Sequence, residues 1–149
     1  SFTLITQNVD GLHQRAGSPD VIELHGSLER VKCFDREHPA ESWDEDGELP
    51  PRCMKCGSQL RPDVVWFGET LPEEAMNRAY TASVECEVFL SVGTSGLVYP
   101  AAGLPHFARR ARATLVEINP EETPLTPHCH HFLRGAAGSI LPALLRQLE

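Results

Sequence analysis

The chain has little that would suit a membrane or a nucleic acid. No apolar run approaches the roughly 18 residues that span a bilayer, and no secretory hydrophobic region opens the sequence. Basic residues are few: 13 Lys and Arg stand against 21 Asp and Glu, a net charge of −8. The acids gather between Glu37 and Glu48 and again at Glu73, Glu74, Glu121 and Glu122, which disfavours a broad DNA- or RNA-binding face, and no direct nucleic-acid binding is expected. They read as solvated surface that would steer a cationic, lysine-rich protein only weakly. Cysteine is scarce and odd in number, five in all, with one Cys-x-x-Cys pair at Cys53 and Cys56. That argues against a disulfide framework and for metal ligation or free thiols under reducing, cytoplasmic conditions. Internal repeats, low-complexity tracts and an initiator methionine are also missing.

What is present suits a globular α/β protein. The 149 residues, 41% of them apolar, are enough for one domain of ordinary size. Phe2 to Ile5 and Val21 to Leu24 read as short strands. Between Arg30 and Arg61 the composition turns polar and proline-bearing, with Asp44-Glu45-Asp46-Gly47 and Pro50-Pro51, as an inserted module would. Leu71-Pro72-Glu73-Glu74 then starts a helix that runs to about Ser83, its acids facing the positive end of the helix dipole. Val88 to Val92 and Thr114 to Ile118 are continuous apolar runs expected as strands buried on both faces. A helix is expected from Pro100 to Ala111 despite Gly103 and Pro105, and another from Ile140 to Leu148 with Leu141, Leu144, Leu145 and Leu148 on one stripe. The alternation implies an α/β fold with a Rossmann-like parallel sheet, incomplete at the N-terminus, interrupted by one small module. Residues 1–29 and 64–149 would form the first and 30–63 the second, zinc-ribbon-like part.

Chemistry concentrates where the first strands end. Thr6-Gln7-Asn8-Val9-Asp10-Gly11 follows one strand and Leu24-His25-Gly26-Ser27 the other. Gln7 and Asn8 offer donors and acceptors, Asp10 only acceptors, and His25 a group able to exchange a proton near neutral pH. Strand ends in an open α/β sheet are where ligands sit. Read singly, Asn8 and Asp10 suit a turn ahead of Gly11, and His25 suits a packed, hydrogen-bonded strand end. Three further motifs follow in order: Arg61-Pro62-Asp63-Val64-Val65-Trp66-Phe67-Gly68-Glu69, Gly93-Thr94-Ser95-Gly96-Leu97-Val98-Tyr99-Pro100, and Val116-Glu117-Ile118-Asn119.

Together these motifs resemble the sirtuins, NAD-dependent protein-lysine deacylases, over nearly the whole chain. The tryptophan in Val-Val-Trp-Phe-Gly-Glu is similar to the class that holds desuccinylases and many bacterial members. The resemblance implies NAD as co-substrate, acylated-lysine proteins or peptides as partners, and release of acetyl, or in this class succinyl or malonyl, groups as O-acyl-ADP-ribose with nicotinamide. In that chemistry the acyl oxygen attacks the nicotinamide ribose, and His25 would take the proton from a ribose hydroxyl as general base. Gln7 and Asn8 match residues at the nicotinamide ribose and the water beneath it, Asn8 counting among the catalytic group. Val9 and Asp10 match the pair that recognises the carboxamide, where isoleucine is commoner than Val9. Gly93, Thr94, Ser95, Asn119 and the backbone of Ala137 match the adenosine and phosphate side. Val65, Phe67, Gly68, Glu69 and Val98 match the peptide side: a strand pairing with the substrate backbone, the Val65 carbonyl accepting from the lysine Nε and Phe67 packing on the lysine stem.

Two departures follow from the same resemblance. The family's glycine-rich phosphate loop and its Tyr-x-x-Arg pair precede the first strand present here, so the chain is expected to be an N-terminally incomplete member, weakly active or inactive alone. The family also carries two Cys-x-x-Cys pairs for a structural zinc. Here Cys33, Cys53 and Cys56 are three ligands, Arg36 occupies the fourth position, and His38 or Asp35 would have to complete the shell. His128-Cys129-His130-His131 looks metal-like by composition, but consecutive residues of an extended segment face opposite ways, which favours a surface or strand role. Cys86 reads as a buried small apolar residue. Outside deacylation, the alternatives are a non-catalytic peptide-binding scaffold, a natural short product, and mono-ADP-ribosyl transfer.

Overall fold

Two short apolar runs pair side by side near the start of the chain. In a computed structural model that describes residues 1–41, 47 and 49–148, β1 (Leu4–Thr6) and β2 (Val21–Glu23) are parallel, Leu4 opposite Val21 and Thr6 opposite Glu23. The single-turn helix α1 (Leu12–Arg15) lies in the connection between them. The first strand begins later than expected. Phe2 is 82% exposed, because β2 starts at Val21, which pairs with Leu4 and reaches no further back. The acidic run Asp44-Glu45-Asp46 lies outside the described residues.

The chain divides into two compact units, Ser1–Ala75 and Met76–Glu149. In the first, β3 (Gly26–Cys33) and β4 (Leu60–Val64) form an antiparallel pair, from Gly26 opposite Val64 to Cys33 opposite Leu60. Cys33, Cys53 and Leu60 make a small core with Val31 and Ala40. The register breaks between Ser27 and Val31, so residues 28–30 bulge out of β3. The strand expected over Val64–Glu69 ends at Val64. Beyond it the chain turns back, because the Glu69 carboxylate accepts the Trp66 N–H (2.9 Å) and the Glu69 N–H donates to the Trp66 carbonyl (3.0 Å).

Helix α2 (Glu73–Glu85) begins beyond Pro72, as expected, in the last residues of the first unit, and buries Ala79 and Ser83 in the second. Next come β5 (Val88–Val92), β6 (Thr114–Asn119) and β7 (His131–Arg134), all parallel, in the order β5-β6-β7. Central β6 buries Leu115, Glu117 and Ile118. Edge strand β5 is not buried on both faces: Val88 and Leu90 are 54% and 44% exposed, whereas Ser91 is buried and Phe89 half-buried. Alternate residues of a strand face opposite ways, and an all-apolar run hides which face is covered. The expected helix from Pro100 opens as a 3-10 turn at Ala101–Gly103 and becomes α3 at Leu104–Arg110, with Pro105 in its first turn, where no backbone N–H is needed. Helix α4 (Ala137–Leu148) starts three residues before the expected point, and Leu145 is 62% exposed, off the buried stripe. Helix α3 packs on β5 and β6, and α4 on β6.

Gly26 has no substitute. Its φ is +77°, and a Cβ there would stand 2.0 Å from the Asp63 carbonyl oxygen. Replacing it with alanine adds a backbone clash to left-handed strain that alone costs roughly 1–3 kcal/mol. Gly17, at φ +90° with open space around it, carries only the strain. Thermal denaturation should therefore show a loss for Gly26→Ala well beyond that for Gly17→Ala; equal losses would contradict the close approach.

Candidate functional site

Each residue of the Gln7–Asp10 segment is fixed through a hydrogen bond that begins in or ends on its neighbours. The Asn8 N–H donates to Thr6 Oγ1 (3.1 Å), the Val9 carbonyl accepts the Leu28 N–H (2.8 Å), and Asp10 Oδ1 accepts the Leu12 N–H (3.1 Å). The bulge in β3 is thus what reaches Val9. Asp10 does form the turn that its type and position allow, and its carboxylate stays exposed. His25, half-buried at the end of β2, has Nδ1 3.0 Å from the Gln7 carbonyl oxygen. A carbonyl only accepts, so Nδ1 carries the proton and the lone pair resides on Nε2. In that tautomer the basic nitrogen is turned away from the segment that orients the ring.

The peptide-side motif adjoins the same histidine. The Val65 N–H donates to the His25 carbonyl (3.0 Å), continuing the Gly26–Val64 pairing by one residue. Gly68 takes φ +92° in the turn that follows, and Phe67 is fully exposed. Arg61, buried to 6% exposure, forms a two-pronged ion pair with Glu69 (2.5 and 2.9 Å) and donates to the Val64 carbonyl (2.6 Å). Its guanidinium lies 3.6 Å above the Trp66 ring centre. The Arg61 guanidinium, then the Trp66 amide, hold the Glu69 carboxyl at about 2. Arg61 was legible only as a motif letter; its partner stands eight residues away across a turn that the apolar pattern reads as strand.

In the second unit the remaining expected residues gather at the C-terminal ends of the parallel strands. Gly93-Thr94-Ser95 follows β5, Asn119 ends β6, and Ala137 opens α4 just after β7. The Gly93 N–H donates to the Ile118 carbonyl (2.9 Å), and Asn119 Nδ2 donates to the Thr94 carbonyl (3.2 Å), which ties two strand ends together. Buried Glu117 receives hydroxyl donors from Thr123 and Thr126, so the loop after Asn119 is anchored from within the sheet. Sequence reasoning missed Glu117; a lone acid inside an apolar strand was the available signal. Val98 is exposed in the same unit.

The metal question resolves at the far end of the β3–β4 pair. Cys33, His38, Cys53 and Cys56 bring their ligand atoms within 4.8 Å of one another. Cys33 Sγ and Cys56 Sγ are 3.4 Å apart, and Cys53 Sγ and His38 Nε2 3.8 Å, near the edge of about 3.8 Å for a tetrahedron with zinc–sulfur bonds of about 2.3 Å. Two matching loops build the set. In each, the first cysteine's N–H bonds to the carbonyl five residues on (Cys33 to His38, 3.0 Å; Cys53 to Ser58, 2.7 Å). In each, the residue four on bonds back to the cysteine carbonyl in a left-handed conformation: Glu37 at φ 55°, Gly57 at φ 73°. The second loop ligates from its fourth residue, Cys56; in the first that place is Arg36, and the ligand comes from the sixth, His38. Burial pushes the Cys33 thiol up, but the Arg36 amide, the Cys56 thiol and the Asp35 amide outweigh it and hold it below its ordinary value. Three thiols and an imidazole with no open position fit a structural zinc, and Asp35 is not among the converging ligands. Among the described residues, the His128–His131 run forms no such group. His130 Nδ1 accepts the Leu115 N–H (2.9 Å), and Cys86 is only half-buried.

Cobalt titration of the chain should give one site with thiolate-to-metal absorption. His38→Ala should weaken it by about 10-fold or more and Asp35→Ala should leave it unchanged; the reverse pattern would return the ligand to Asp35. The clasp has its own pH signature. Glu69 titrates in the fold at about 2 instead of 4.5, so its stabilisation is complete above about 4.5 and is lost as pH falls towards about 2. In urea unfolding, the stability gap between wild type and Glu69→Gln should close over that window; a constant gap would show that the pair contributes nothing electrostatic.

Comparison with known proteins agrees with this geometry. The Sir2 family profile matches residues 1–100. An NAD-dependent protein deacylase of Aquifex aeolicus is 57% identical over 127 residues, covering 85% of this chain and 53% of that protein. One from Pyrococcus furiosus is 51% identical, covering 98% of this chain and 61% of that protein. A Sir2 homologue solved with NAD superposes with a TM-score of 0.91 at 47% identity, over 99% of this chain and 58% of that one. A Sir2 bound to a p53 peptide and NAD superposes with a TM-score of 0.90 at 35% identity, over 98% of this chain and 62% of that one. The chain therefore spans a little over half the length of the relatives it matches, and in fold and sequence it belongs to the Sir2 family.

Proposed function

We propose that the protein carrying this chain removes acyl groups from protein lysines with NAD as co-substrate. The observation that carries the reading is the His25 arrangement: Nδ1 is held by the Gln7 carbonyl, Nε2 is left basic, and the same residue's carbonyl holds Val65 at the peptide segment. His25 takes up a proton at Nε2, and the Gln7 carbonyl steadies the imidazolium through Nδ1–H. Gln7, Asn8, Val9 and Asp10 hold the nicotinamide end, with the exposed Asp10 carboxylate as acceptor for an amide NH₂. Gly93, Thr94, Ser95, Asn119 and Ala137 hold the adenosine end from the C-terminal edge of the sheet, where such ligands bind in α/β proteins. NAD supplies the electrophilic ribose carbon and nicotinamide as leaving group.

An acylated peptide enters as an added strand along Val65–Phe67, with the exposed Phe67 ring against the lysine stem and Gly68 and Glu69 closing the turn that follows; Val98, in the second unit, is assigned to the peptide as well. Solved relatives favour this assignment: Sir2 proteins have been solved with NAD, with a p53 peptide and NAD, and with 2′-O-acetyl-ADP-ribose. Residues 1–29 and 64–149 are assigned to NAD and peptide binding, and 30–63 to the metal module. Five unpaired cysteines favour a reducing, cytoplasmic setting, and among the described residues no helix is long and apolar enough to cross a membrane.

Acetyl- and succinyl-lysine peptides incubated with NAD and the full-length protein should yield free lysine, nicotinamide and O-acyl-ADP-ribose by mass spectrometry. His25→Ala should lower the rate by roughly 10²–10⁴-fold, the range for a lost general base. Peptide-dependent NAD consumption without lysine release would favour ADP-ribosyl transfer, and no consumption would sink both enzymatic readings.

A further inference from the structure

The backbone of residues 64–69 divides cleanly between groups that the protein uses and groups that it leaves. Arg61 Nη2 takes the Val64 carbonyl (2.6 Å), the His25 carbonyl takes the Val65 N–H (3.0 Å), and Trp66 spends its N–H on the Glu69 carboxylate and its carbonyl on the Glu69 N–H. Among the described residues, the Val65 carbonyl and both backbone groups of Phe67 have no partner, and in the turn beyond them neither do those of Gly68. Those of Val65 and Phe67 are the alternating groups that an added strand needs. The Arg61–Glu69 pair is what enforces the division. Its guanidinium is fixed by both Glu69 oxygens and by the Trp66 ring on its face, with the Phe34 ring 5.8 Å away.

The pair is a costly way to stabilise a turn. Arg61 Nε is buried without a partner, a penalty that an apolar residue in the same place would avoid. A two-pronged guanidinium gives what an apolar residue cannot, a fixed orientation of two backbone groups at once.

We propose that Arg61 and Glu69 are positioning residues of the acyl-peptide site, holding residues 64–69 in the one arrangement that presents the Val65 carbonyl and the Phe67 backbone to an extended peptide beside His25. This rests on the deacylase reading above. Neither side chain touches the reacting atoms; both act through Val64 and Trp66. The NAD contacts assigned to other segments do not depend on the pair, so its loss falls on peptide binding.

Steady-state kinetics of the full-length protein with an acetyl-lysine peptide test this. Arg61→Lys keeps the charge but loses the fork, and Glu69→Gln keeps the shape but loses the charge. Each should raise the peptide KM by about 10-fold or more while the NAD KM and the kcat at saturating peptide stay within about two-fold. A peptide N-methylated beside the acyl-lysine should lose affinity for the wild type and little more for Arg61→Lys, as expected when one interaction has already gone. Unchanged peptide KM in both variants, or a parallel fall of kcat and NAD affinity with melting temperature, would overturn the proposal; if Arg61→Lys does not fold, Glu69→Gln decides. A wild type that deacylates no peptide overturns the deacylase reading and this proposal with it, whereas normal variants of an active wild type overturn this proposal alone.

Discussion

One backbone contact organises the first unit: Gly26 lies against the Asp63 carbonyl with no room for a side chain, and the Val65 N–H closes on the His25 carbonyl beside it. Because the approach is between main chains, it sets register irrespective of the surrounding side chains. It places Gly26 opposite Val64, one residue before Val65. Everything that the site requires of His25 and Val65 follows from that register, including the direction in which the histidine's own carbonyl points.

A second constraint is the set of hydrogen bonds that holds the Gln7–Asp10 segment. Its bonds come from Thr6 on β1, Leu12 on α1, Leu28 in the bulge of β3, and His25 in the link between β2 and β3. A bulge that looks like an irregularity of β3 supplies one of them, since only by leaving the strand can Leu28 reach Val9. Buried polar groups must be paired, and here the pairing fixes a polar loop without spending the Asp10 carboxylate's exposure.

Much of this was legible in the sequence. The parallel strands, the helices after Pro72 and before the C-terminus, the polar module and the two groups of strand-end residues all followed from period, punctuation and ordered motifs. What escaped has a common cause: the signal lay in pairs distant along the chain. Val88 and Leu90 are exposed because, among the described residues, the face of β5 that they share is uncovered, which its own apolar letters do not reveal. Val64 to Phe67 look like strand because their letters are β-formers, and the turn comes from Glu69 bonding back to Trp66 while Arg61 holds its carboxylate. The fourth metal ligand was undecided between Asp35 and His38 because spacing alone does not say that the loop repeats the Cys53–Ser58 geometry. Three-dimensional closeness of Cys33 and Cys56, 23 residues apart, does.

The paired loops at the far end of the β3–β4 hairpin have a mechanical consequence. The hairpin is fastened at two points, by backbone contact at Gly26 and by four converging ligands near Cys33. An ion bound at the second point would act as a rivet that shortens the free chain between the loops. By the loop-closure argument used for disulfides, such a tie across 23 residues is worth about 3 kcal/mol. Prying the rivet out would fray the hairpin from its tip, and the register at its base would be the last part to let go.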